Sequence, residues 1–404
     1  MPPLSTPEDV LATTHQTAPA PATADLLLCL PAIPPDALTA ALETIAAAFP
    51  TESVLVASSQ HSGDTPPNLT LIPYSADRAT LGWVLAAADY ASASKLASDH
   101  SIQTTLLLAD TPTDPTFLRS LVDAIRTQSI DLAVPRFHLG PTGGLVNSAL
   151  LYPLTRALFG TDIRFPLPSS AALSPRAAQR LASATQRLVA VNQGSSLFWP
   201  VAEAAIAGLS VREVDANDAQ PPAPPQEDFN SLFAMVAGSL FSDVEARATF
   251  WQRARTLAAR PIPEPPVPYF EAATVAPDIL STIESFHLAQ DNLQEIWSLV
   301  LPPQSRLAFK KLAQLPPDQF TLDPNLWART VYDFALAFHL RTLNRSHLLG
   351  AMTPLYLAWA ASHLRAVSDE PSRSTQTIDQ TAAAFETEKA YFVSRWRWPD
   401  RFNP

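Results

Sequence analysis

The sequence predicts an α/β domain built on a mostly parallel sheet, followed by an all-helical C-terminal domain. Three observations carry this expectation. Short apolar runs recur at helix-sized intervals through the first half of the chain, and the stretches between them place apolar residues at the helical period. From residue 228 onward only the helical period remains, with no convincing strand. Parallel strands need long crossovers, usually helices, and burial on both faces makes them near-continuously apolar, as these runs are.

In chain order, residues 26–30 (LLLCL) read as the first strand, and Leu38, Leu42, Ile45 and Phe49 fall on one stripe of a helix over 38–49. Strands follow at 54–57 and 69–72, then a helix at 81–96 and a strand at 104–108. Phe117, Leu118, Leu121, Val122 and Ile125 mark the next helix, and 132–135 the next strand. Gly143-Gly144 reads as a loop ahead of a helix over 146–159. The segment 216–226 (ANDAQPPAPPQ) breaks the pattern, which sets an α/β domain at 25–216, a proline-rich linker at 217–227 and a helical domain at 228–404. There Phe229, Leu232, Phe233, Val236, Leu240, Val244 and Trp251 trace one long helical face, ended by the proline-rich 260–268. Further helices are expected at 279–300, 305–315, 326–343, 346–364 and 374–396, their aromatic and leucine stripes reading as core.

With 404 residues, 47% hydrophobic and 16% charged, the chain is long and apolar enough for two folded domains. It holds 40 prolines but only 10 glycines, so Gly-rich phosphate cradles are disfavoured, and neither a Gly-x-Gly-x-x-Gly turn nor a Gly-x-Ser-x-Gly elbow occurs. A formal charge of -11 argues against nucleic acid as a partner. It also means that an anionic ligand needs a metal ion or a local arginine cluster. The single Cys29 lies in an apolar run and reads as core. No apolar run reaches the roughly 20 residues of a membrane span. Residues 1–24 form a Pro/Thr/Ala stretch without a hydrophobic signal region, read as a disordered tail, so no membrane partner and a cytoplasmic location are expected.

The most informative stretch is LLLADTPTDP at 106–115, an apolar strand that runs to Asp110 ahead of a proline and a helix. In GT-A glycosyltransferases this place carries Asp-x-Asp, two carboxylates that hold a divalent ion against a sugar diphosphate. Here the triplet is Leu108-Ala109-Asp110. The first half resembles glycosyltransferase family two and its relatives. TRALFGTDIRFPLPSSAALS at 155–174 is similar to the segment of glucosyl-3-phosphoglycerate, glucosylglycerate and mannosylglycerate synthases that leads into the acceptor site. FWPVAEAAIAGLSVREV at 198–214 looks like the helix, glycine and final strand of that domain, and DFNSLFAMVAGSLFSDVEARATFW at 228–251 like the first helix of their C-terminal extension. The resemblance covers about residues 25–400 and implies a GT-A-like (Rossmann-like) nucleotide-sugar domain that passes a hexose to a small, glycerate-like acceptor.

The same resemblance assigns places to individual residues. Ser59 stands where an aspartate would bond the nucleotide base, and Arg78, in YSADRAT, where a lysine would approach the diphosphate. Asp110, joined by Asp114, is what remains of the Mg or Mn site, with Asn217 in the place of a histidine ligand beside Asp218. Ser170 replaces the acid of the acceptor site, in PLPSS where relatives have Pro-x-Gly-Gly-Asp or Glu, and Ser196 replaces a further aspartate. Arg136, His138, Arg156 and Arg164 survive as cations near the implied cleft, where guanidinium groups are able to neutralise a diphosphate leaving group without metal. The catalytic candidates implied are thus Arg156 and Arg164 on the diphosphate and Ser170 in the acceptor site, with Arg136 joining the arginines on the donor.

Two readings follow. The first is a metal-weak or metal-independent hexosyltransferase. The second is a catalytically silent homologue that binds a partner chain, a working paralogue or a second copy in a homodimer, or senses a sugar nucleotide. Bland roles compete residue by residue: Asp110 and Asp114 as a turn and helix N-cap, Arg156 and Arg164 as seam residues paired with acids between the two halves.

Overall fold

The computed structural model describes residues 24–60, 63–74, 81–190, 193, 196–217, 219–224, 228–254, 278–368 and 370–399. The tail expected at 1–24, apart from Ala24, lies outside them, as does the proline-rich 260–268.

Strands β1 (Leu26–Leu30), β2 (Val54–Ser58), β3 (Leu69–Pro73), β4 (Thr105–Leu108), β5 (Leu132–Arg136), β6 (Ser170–Leu173) and β7 (Val211–Asp215) form one sheet. Its order is β3-β2-β1-β4-β6-β5-β7. All neighbours run parallel except β6, which lies antiparallel between β4 and β5. The fold is therefore α/β with a mostly parallel sheet, as the apolar runs imply. The sequence expectation did not include β6, whose four residues SAAL are too short and small to announce a strand.

Helices cover both faces. Leu26, Leu28 and Leu30 of β1 join one core with α1 (Leu38–Ala48) and, beyond α2 (Ala87–Asp99), with α3 (Pro115–Arg126). Leu27 and Cys29 point to the other face and join α2. The alternation follows from the two-residue period of a strand. Helix α2 begins at Ala87, later than the apolar pattern suggests, because the buried Asp89 carboxylate accepts the Ala86 N–H at 2.8 Å and fixes the helix start there.

A π-helical turn, Asn147–Leu151, leads into α4 (Tyr152–Phe159), and α5 (Pro175–Ala190) and α6 (Pro200–Ala207) complete the first half. Pro153 explains the turn. It has no N–H to return to the Ala149 carbonyl at the α-helical spacing. The Trp327 indole donates to that carbonyl instead, at 2.8 Å.

The second half comprises α7 (Phe229–Ala246), α8 (Ala248–Trp251), α9 (Ile279–Asn292), α10 (Gln294–Val300), α11 (Pro303–Leu312), α12 (Pro324–Leu340), α13 (Arg345–Ser368) and α14 (Arg373–Arg397). The single helix expected over 279–300 is two, broken at Leu293. Pro354 lies inside α13, and the Trp297 indole donates to the Ala351 carbonyl of the preceding turn at 2.9 Å. One core unites these helices with Leu145–Phe159 residues, Leu197 and Trp199 of the first half. The linker at 217–227 is thus a boundary in composition while the packing crosses it. Among the described residues, no helix is long and apolar enough to cross a membrane.

Candidate functional site

The strand order fixes where a ligand would sit. The chain winds from β1 outward to β3 and then returns to place β4 on the other side of β1. In open α/β sheets the crevice beyond the carboxyl ends of the strands at such a reversal is the usual binding place. Several of the residues singled out by sequence gather at this edge: Ser59 after β2, Asp110 after β4, Arg136 at the end of β5, Asn217 after β7, and Ser170 at the start of the reversed β6. Arg78 lies outside the described residues, as do His61, Gly194 and Asp218.

At the junction of β4 and β6 the edge is made of buried sheet residues. Leu108 is 4% exposed and belongs to the sheet core. It pairs with Ser170, and the Ala109 N–H donates to the Ser169 carbonyl at 2.8 Å. Ser170, 5% exposed, is therefore a sheet residue where the resemblance called for an acceptor-positioning group. The antiparallel pairing of β6 with β4 places Ser170 within the sheet. Ser59 is exposed, while its neighbour Ser58 accepts the Gln60 N–H through Oγ at 3.0 Å.

Asp110 is exposed and accepts the Thr111 N–H at 2.7 Å. Asp114 is the N-cap of α3: its Oδ1 accepts the Thr116 N–H at 2.8 Å and its Oδ2 the Asn217 side-chain amide at 2.8 Å. Partial burial opposes the Asp114 charge, but these donors prevail and hold the carboxyl below its usual range. Asn217 sits in the left-handed region at φ 52, which asparagine tolerates, and gives its N–H to Asp215 Oδ1 at 2.8 Å. His138 Nε2 meets the same oxygen at 2.9 Å. Burial likewise works against the Asp215 charge, and His138, the Asn217 N–H and Arg136 hold its carboxyl low.

These contacts make one polar chain, Asp114–Asn217–Asp215–His138, that ties α3 to the ends of β5 and β7. The Asn217 amide, in the place where the resemblance expected a metal ligand, donates to the Asp114 carboxylate and bridges the end of β7 to α3. Leu108 offers no donor, and one Asp110 oxygen already serves a turn. Among the described residues, no group of three or more His, Cys, Asp or Glu side chains is placed to hold a metal ion.

The two catalytic arginine candidates are built into the seam with α14. Arg156 Nη1 donates to the Tyr152 hydroxyl at 2.7 Å and to Asp162 at 2.9 Å, and its Nε pairs with Glu386 of α14 at 3.0 Å. Arg164 lies over the Tyr152 ring, 4.4 Å from its centroid, and pairs with Asp379 of α14 at 2.5 Å. Its backbone N–H donates to Glu213. Burial pushes the Glu213 carboxyl up to about 7, against that N–H and the charges of Arg136 and Arg164. In the structure both arginines make the pairing with acids that the sequence reading held beside their diphosphate role.

Sequence reasoning missed two anchors. The Tyr74 hydroxyl donates to buried Asp89 at 3.2 Å beneath the edge. His363 of α13 meets the Pro141 carbonyl at 3.1 Å and fastens the loop after β5 to the helical half. No spacing in the chain announces either contact. Two hollows lie apart from the strand ends. One of about 560 Å³ is lined by Ala254, by Lys389, Ser394 and Arg397 of α14 and by Trp398 just after it. The other, about 320 Å³, lies between α3 and β7.

No protein-family model matches the chain, and no curated protein matches it either.

Proposed function

We infer that this chain is a GT-A-like, glycosyltransferase-family homologue that has lost sugar transfer and acts as a binding or regulatory partner. The observation that carries the reading is the engagement of Arg156 and Arg164 with Asp162, Glu386 and Asp379. A metal-free transferase needs cations that converge on a diphosphate, and these two are already neutralised. Leu108 and Ser170 support the same reading, since the places of a metal-binding acid and an acceptor-positioning acid are filled by buried sheet residues. The mostly parallel sheet followed by a helical extension is the architecture that the resemblance to the hexosyl-glycerate synthases implies, and it supports the family half of the reading.

Calorimetric titration with UDP- and GDP-hexoses tests it, first with Mn present and then with chelator. The expected result is no binding in either condition. Binding that survives chelation would restore the arginine-based transferase, and binding that requires Mn would show that Asp110 still holds a metal.

A further inference from the structure

We propose that helices α9 to α11 form the face through which two copies of this chain associate. The inference goes beyond the strand edge and draws on different residues.

Among the described large apolar side chains five are more than half exposed: Trp398 at 58%, just past the end of α14, and four leucines, Leu280 at 55%, Leu288 at 67%, Leu299 at 54% and Leu307 at 54%. All four lie on these three consecutive helices, and α10 touches both α9 and α11. Each helix already buries its other side: Ile283 and Phe286 of α9, Trp297 of α10 and Phe309 of α11 enter the main helical core. The exposed leucines are therefore a second apolar face and not a displaced first one. Single exposed leucines need no explanation, whereas a concentration of them marks an interaction site.

The charges around them indicate the partner. On α9, Leu280, Glu284, Leu288 and Asp291 recur at steps of four, four and three and so share one face. Glu295 stands one turn before Leu299 on α10. On α11 the companions of Leu307 are Lys310 and Lys311. The whole chain has four lysines, Lys95, Lys310, Lys311 and Lys389, within a formal charge of -11, so a paired-lysine spot beside an exposed leucine is singular in its composition. An acid-flanked leucine stripe and a lysine-flanked leucine on neighbouring helices are complementary to each other. They meet when two copies are related by a two-fold axis, which pairs α9 and α10 of each with α11 of the other and makes every contact twice. The leucines then supply a dry centre and the charges a polar rim, the usual division of a protein interface. Opposite charges also overcome, locally, the repulsion between two acidic chains.

Sedimentation velocity of the full chain over a concentration series gives the test. The expected result is a reversible dimer that weakens as salt rises. Leu288→Asp with Leu299→Asp is expected to weaken association roughly tenfold or more, with an unchanged melting profile at dilutions where the wild type is monomeric, because both side chains are exposed. Lys310→Glu with Lys311→Glu weakens it too, and adding Glu284→Lys with Asp291→Lys in the same chain restores it. A monomer at every concentration overturns the proposal, as does a dimer indifferent to the leucine and charge variants, which would place the contact elsewhere. Either failure leaves the reading of the strand edge standing, because that reading fails only by nucleotide-sugar binding.

Discussion

Arg247→Ala is expected to remove about 3–5 kcal/mol of stability, as loss of one partner from a buried charge network does. Arg247 follows α7 and reaches back to the first half, where its guanidinium pairs with Glu203 of α6 and, at 2.7 Å, with Asp243. Glu203 is 1% exposed and also pairs with Arg180 of α5. Without Arg247, two carboxylates face each other in the seam with only the half-exposed Arg180 to balance them. The loss depends on pH in a defined direction. Burial pushes the Asp243 carboxyl up to about 6, although the charge and hydrogen bond of Arg247 pull it down. A carboxyl raised in the folded state binds its proton more tightly there than in the unfolded chain, so its contribution improves as pH falls from about 6 toward the usual 3.8. Removing Arg247 raises that carboxyl further. Urea unfolding of the variant should therefore show the largest deficit near neutral pH and a smaller one in mild acid. A deficit independent of pH, or none, contradicts the role assigned to this network.

The second large effect is expected at Trp327. Its indole is fully buried and donates across the two halves to the Ala149 carbonyl, the one that Pro153 leaves without its helical donor. Trp327→Ala creates a cavity and an orphaned carbonyl together, and the truncation alone costs about 3–5 kcal/mol. Trp327→Phe separates the two causes, because it keeps most of the ring and removes only the N–H. It is expected to cost about 1–3 kcal/mol, the penalty of an unsatisfied buried acceptor. Pro153→Ala returns a backbone N–H to the same carbonyl, so in the Trp327→Phe background it should recover part of that loss. Denaturant midpoints of the three variants and the double variant check this. If Trp327→Phe unfolds like the wild type, the indole bond is not what closes the π-helical turn.

Much of the architecture was legible in the chain. The fully buried β1 reads as apolar because both faces are covered, and the α3 stripe with its Asp114 cap reads correctly from TPTDP and the helical period. What escaped has physical reasons. Strand β6 exists because β4 and β5 flank it on both sides, and tertiary context of that kind leaves little trace in four small residues. The break at Leu293 falls inside an uninterrupted helical pattern without glycine or proline. At the candidate site, the sequence placed the right cations near the right segments but was unable to choose their partners. Arg156 meets Glu386 across 230 positions and Arg164 meets Asp379 across 215, while Asn217 meets Asp114 across 103. Only the packing of α14 against α4 brings these acids to the two arginines.

The seam role of Arg156 is therefore the central claim, and a double-mutant cycle on Arg156 and Glu386 tests it most directly. Their side chains are 18% and 17% exposed, buried enough for the pair to register in stability. Arg156→Ala, Glu386→Ala and the double variant should give a stabilising coupling of about 0.5–3 kcal/mol in chemical unfolding. None of the three should differ from the wild type in its response to UDP- or GDP-hexoses. A coupling of zero, together with a wild type that binds a nucleotide sugar and an Arg156→Ala variant that does not, would contradict the account and return Arg156 to a diphosphate site.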